Sequence, residues 1–206
     1  MLDFGLITTV GLIHLVALVS PGPDFVVACR NTLMYSRSIG IYTAVGFGFG
    51  ICIHISYAVF GLSWLIAKDE LIFTVIQYLG ALYLIFIGFQ SFRHFKSQIG
   101  QETVNASKRI SPAHAVQIGL ITNVLNPKAT LFFLSLFSTM LNPSVGKLTL
   151  ITISILLVVT TILWFSLVAL LISHRRFSTT LKRYEKTLQQ FFGILLIGIG
   201  GIILIF

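Results

Sequence analysis

Apolar runs long enough to cross a lipid bilayer recur from one end of this chain to the other. A helix rises 1.5 Å per residue and needs about 18 or more apolar residues to traverse the hydrocarbon core. Six such spans are predicted: Phe4–Tyr35, interrupted at prolines; Ile41–Ala67; Leu71–Phe92; Pro112–Leu141, also interrupted; Leu148–Ser173; and Gln189–Phe206. Hydrocarbon gives backbone amides no partner, so each span must satisfy them internally, as a helix does. The expected fold class is therefore an all-α polytopic membrane protein. Charged residues make up 10% of the chain, against roughly a quarter in a soluble domain. The first run has no basic residues before it and no small-residue cleavage site after it, so it reads as a retained span rather than a signal peptide.

A net charge of +8 raises the question of nucleic acid, but the placement of the charge reads as membrane topology. With the N-terminus outside, Arg30 and Arg37, then four basic residues from Arg93 to Arg109, then five from Arg175 to Lys186, all fall on the cytoplasmic side. Only Lys68 and Lys147 fall outside, and Lys128 lies within a span. An excess of Lys and Arg in cytoplasmic loops fixes orientation, so both termini are expected in the periplasm. The same surplus suits anionic lipid headgroups, and no nucleic-acid partner is expected. The segment "STTLKRYEKTLQQ" sets Leu181, Tyr184 and Leu188 at helical spacing among charges and reads as an interfacial helix. Cys29 and Cys52 fall in predicted spans and read as small core residues rather than a disulfide.

The chain also repeats itself. "GPDFVVACRN" from Gly22 aligns with "NPKATLFFLS" from Asn126, setting Pro23 on Pro127 and Asp24 on Lys128, and "QYLGALYLIFIG" from Gln77 aligns with "QFFGILLIGIGG" from Gln190. The offsets, 104 and 113, differ by a loop's worth of residues. The halves are 1–96 and 112–206, joined by a cytoplasmic linker at 97–111. An odd number of spans per half turns the second half upside down, giving a 3+3 inverted-topology repeat. Transporters with such repeats place substrate and ion sites where interrupted helices meet near mid-membrane.

Pro21 and Pro23 remove backbone donors and Gly22 frees the chain between them, so the first helix should stop near Val19 and restart at Pro23. Asp24 then lies in the opening turn of the restarted half, either satisfying free amides there or lining a pathway, as intramembrane charges usually do. Lys128 follows Pro127 at the opposite break, as a structural ion pair with Asp24, a snorkelling side chain or a substrate ligand. Ser20 and Asn31 around the first break, and Asn123 and Asn126 around the second, offer neutral hydrogen bonds, and Asn126 could cap the half-helix begun by Pro127. His14 and His54 are candidates, with Asp24, for a proton path, and are equally readable as packing residues. Gly46, Gly48 and Gly50 lie inside a span with no strand before them, so they read as a close-packing face rather than a nucleotide loop. No residue cluster has metal-ligand spacing, and no cofactor is expected.

"HLVALVSPGPDFVV" with the downstream "LITNVLNPKATLFFLSLFS" resembles the lysine exporter (LysE) superfamily, in its RhtB branch with the bacterial threonine efflux proteins. The resemblance covers essentially the whole chain. It departs at "LFSTML" from Leu136, where many relatives carry a Pro-Gln pair, a feature shared with the threonine branch. It implies a bacterial inner-membrane exporter of neutral amino acids, driven by protons and able to form a homodimer, and not an enzyme. By motif, Pro21, Gly22, Pro23 and Asp24, then Asn126, Pro127 and Lys128, carry over as site residues. Export of basic amino acids or cations, an intramembrane thiol-electron carrier, and a structural membrane subunit are the competing expectations.

Overall fold

The first predicted span divides at its prolines. In a computed structural model, residues 2–20, 22–66, 110–140 and 145–174 are described throughout, with individual residues between 75 and 89 and between 183 and 204. Pro21, residues 97–109 of the linker, and much of the third span, the sixth span and the interfacial segment lie outside the described residues. Every regular element among the described residues is helical. We number the continuous ones α1 (Phe4–Val19), α2 (Pro23–Met34), α3 (Arg37–Ile66), α4 (Pro112–Val124), α5 (Pro127–Met140) and α6 (Lys147–Ile172).

α1 opens on Asp3, whose Oδ1 accepts the Leu6 amide at 2.9 Å, and it ends at Val19. α2 restarts on Pro23, with Gly22 as its extended N-cap, and its axis turns 59° from that of α1. α4 opens on Ser111, which caps His114 N, and it gives way to α5 through a 61° bend. Taken together, each bent pair is long and apolar enough to cross a membrane. Among the described residues, α6 and the Arg37–Val59 part of α3 meet that test singly.

The contacts fix the directions of these elements. Asp3 N donates to Thr149 Oγ1, His14 meets Thr161 further along, and Phe25 shares a core with Phe165 and Ile172. α6 therefore runs alongside α1 and α2 in the same sense. α3 runs in the same sense as α4 and α5: Thr43 abuts Gly119, Gly50 abuts Asn123, and Tyr57 reaches Thr130. α3 returns from α2 after only a short turn, so the two bent pairs are antiparallel to one another. Within the two partly described stretches, Gly200 packs on Ala81 and Ile85 while Gly88 packs on Gly193 and Ile197, an antiparallel crossing.

The glycines of α3 permit its closest contact. A methyl group on Gly46 would meet the backbone of Val116 and Leu120, and one on Gly119 would meet Thr43 O, so these helices touch backbone to backbone. Gly48 faces the other way, onto Ile162 of α6. Two apolar clusters flank the breaks. One gathers Val10, Ile51, Phe133, Phe137 and Leu157, and the other gathers Phe25, Phe47, Phe165 and Ile172. The outward faces are apolar too. Leu148, Ile151, Ile155, Val159, Leu163 and Leu167 form an exposed stripe along α6, a surface that lipid solvates and water does not. Cys29 is buried as expected, but Cys52 is exposed on α3 beside Phe49 and Ile53 and is not a core residue.

Candidate functional site

A helix that stops inside a bilayer leaves carbonyls unpaired at one end and amides at the other. Here a side chain from the second break reaches each half of the first. At the C-terminus of α1, Ser20 O accepts Lys128 Nζ from the first turn of α5 at 2.6 Å. In the first turn of α2, Asp24 Oδ2 accepts Asn123 Nδ2 from the end of α4 at 2.7 Å. Both charges follow helix-dipole logic. The ammonium sits against the carbonyl end of a half-helix, and the carboxylate sits at an amide end.

Asp24 therefore does not cap α2 with its side chain, because Gly22 is the N-cap and no side-chain bond caps that helix. Asn126 does cap: its Oδ1 accepts the Lys128 amide at 3.0 Å. Asp24 and Lys128 make no direct hydrogen bond or ion pair. They line a common cavity instead, between the two clusters. Gly22 keeps the approach open for the lysine, since a methyl group there would stand 3.3 Å from Lys128 Cδ.

Ser20, Gly22, Asp24, Asn123, Asn126, Lys128 and His14 all border this cavity. Pro23 and Pro127 open the half-helices that carry the charges. Asn31 and His54 stand apart from it. Asn31 is buried a few turns along α2, where its Nδ2 donates to Thr43 Oγ1 at 3.0 Å. His54 supports the site from behind, with Nε2 3.0 Å from Asn123 O and Nδ1 2.6 Å from the Tyr57 hydroxyl. A carbonyl can only accept, so Nε2 carries the proton, and the Tyr57 hydroxyl lies between His54 Nδ1 at 2.6 Å and Thr130 O at 3.3 Å.

Three residues that border the cavity each carry a buried polar atom with no partner, Asp24 Oδ1, Ser20 Oγ and His14 Nδ1, while a fourth such atom, Asn123 Oδ1, lies against Gly50 of α3. An isolated polar atom in a dry interior is costly, so a cluster of them around one cavity marks a place for a ligand rich in donors. The apolar walls come from Phe25, Phe132, Phe133, Phe165 and Ile51. Sequence reasoning missed these aromatics as well as Thr161 and Tyr57. Their clue was helical spacing, with Phe132 one turn past Lys128 and Tyr57 three residues past His54. The arrangement presents an anion, a cation and an apolar wall to one small volume, which suits a zwitterion with a modest side chain.

The LysE type translocator family matches residues 15–205 of the chain. The threonine efflux protein of Escherichia coli (strain K12) is 33% identical over 204 residues, 95% of each chain. That of Salmonella typhi is 32% identical over 195 residues, 93% of this chain and 94% of its own. An uncharacterized membrane protein of Bacillus subtilis (strain 168) is 31% identical over 190 residues, 87% of this chain and 89% of its own. No solved structure matches the chain. With apolar bent helices, a charged cavity between them and a family match running nearly end to end, the chain belongs to the LysE type translocators, a family of membrane transporters rather than enzymes.

Proposed function

We propose that this protein is a secondary-active exporter of small neutral amino acids, threonine and homoserine among them, in a bacterial inner membrane. The observation that carries the reading is the meeting of Asp24 and Lys128, from opposite breaks, around one cavity with unpartnered acceptors. The substrate carboxylate binds Lys128 at the start of α5, where the helix dipole is positive. The substrate ammonium binds Asp24 Oδ1. A proton competes with that ammonium for the same carboxylate, so release of the amino acid outside is matched by uptake of a proton for the return. His54 and His14 are secondary candidates on the proton path.

The six spans form two inverted trios, 1–96 and 112–206, joined by a cytoplasmic linker. The antiparallel run of the two bent pairs supports this arrangement, as does the alignment of Asp24 with Lys128. Alternating access is then a rocking of one trio on the other about the fixed site. Cells loaded with a threonine-containing dipeptide test the reading. Overexpression should raise the rate at which free threonine appears outside, and an unchanged rate would remove threonine as a substrate.

A further inference from the structure

The amino-acid reading gives His14 no contact with the substrate. His14 is 3% exposed and borders the cavity with Phe132 and Phe133, whose ring centroids lie 5.9 and 6.0 Å from its own. Its Nε2 is 3.1 Å from Thr161 Oγ1, and Thr161 spends its only hydroxyl proton on Leu157 O at 2.8 Å. Thr161 can therefore only accept from the ring, so the proton is on Nε2. In the neutral imidazole, Nδ1 is then a bare lone pair, buried and without a partner.

We infer that His14 reads the substrate side chain: a hydroxyl on a short side chain donates to His14 Nδ1, and Thr161 is the positioning residue that fixes the tautomer. This rests on the amino-acid export reading above. The charged ammonium goes to Asp24 Oδ1, because a formal charge makes the stronger acceptor. With the carboxylate at Lys128, the side chain extends towards Phe132, about 6 Å further along α5 at 1.5 Å per residue. That is where His14 waits. A hydroxylated side chain satisfies the lone pair; an isosteric methyl buries it unpaired. Sites that hydrogen-bond a substrate hydroxyl discriminate strongly against the analogue lacking it.

Threonine and valine differ by this one exchange, so the ratio of their efflux from proteoliposomes is the readout. The wild-type protein should favour threonine by roughly tenfold or more. His14→Leu should bring the ratio close to one. His14→Asn sets a carbonyl oxygen near the position of Nδ1 and should keep the preference, although an amide cannot relay protons as an imidazole does. Thr161→Val should erode the ratio, and Thr161→Ser should restore it; these variants spare the ring itself, should His14→Leu fail to reach the membrane. A wild-type ratio near one, an unchanged ratio in both His14→Leu and Thr161→Val, or equal loss of both substrates in His14→Leu and His14→Asn would overturn the assignment. If the wild type moves neither amino acid, the export reading falls first and this inference falls with it. Intact export with an unmoved ratio removes His14 alone.

Discussion

Asp24 has two oxygens in different circumstances, and the difference is the site in miniature. Oδ2 is held by Asn123 and Oδ1 has no partner, so one oxygen orients the carboxylate and the other is free for a ligand. Asn123→Leu should leave a buried carboxylate without its donor and cost about 1–3 kcal/mol in denaturant unfolding in detergent. Asp24→Leu in the same protein should recover part of that loss, because an apolar pair of similar shape has nothing to satisfy. Strictly additive losses would mean that the two side chains do not support each other. A charge in an apolar run is visible in sequence, which is why Asp24 and Lys128 were. Ser20 and Asn123 were legible as hydrogen-bonding residues at the breaks, but which of them meets which charge was not, since those pairings form only when two distant breaks meet. Likewise nothing in the sequence separated His14, which borders the cavity, from His54, which braces the end of α4.

At the scale of elements, the breaks were legible because proline and glycine act locally. Pro21, Gly22 and Pro23 predict an end near Val19 and a restart at Pro23, and α1 and α2 have those bounds. The second break has a single proline and became visible through its alignment with the first. The glycines of α3 were legible as a packing face but not as two faces. Gly46 and Gly50 meet α4 while Gly48 meets α6, a division that depends on where the neighbours sit. Gly46→Ala should force α3 and α4 apart, since the added carbon would come 2.8 Å from Leu120 N and closer still to Val116 O. A loss of about 1–3 kcal/mol is expected from such overpacking. Gly198→Ala, with nothing within 4 Å, should stay within about 0.5 kcal/mol of wild type. Equal melting of the two variants in detergent would remove the close α3–α4 contact from the account.

For the whole molecule, the basic residues predict an orientation that contacts inside the protein cannot report, because the membrane lies outside it. A C-terminal alkaline phosphatase fusion should be active and a C-terminal green fluorescent protein fusion dark, as expected for a periplasmic end. The reverse pattern would invert every loop. Coupling also belongs at this scale. An acidic external medium should speed threonine efflux from proteoliposomes, and a protonophore should cancel the effect, if protons return on the carboxylate that the ammonium vacates. The central claim is that Asp24 and Lys128, delivered by two antiparallel broken helices, jointly hold the substrate. Its most direct test is threonine efflux from proteoliposomes containing equal amounts of wild type, Asp24→Asn or Lys128→Met. The account predicts that each substitution reduces efflux to that of protein-free vesicles while the folded protein remains in the membrane, whereas wild-type rates in both variants would contradict it.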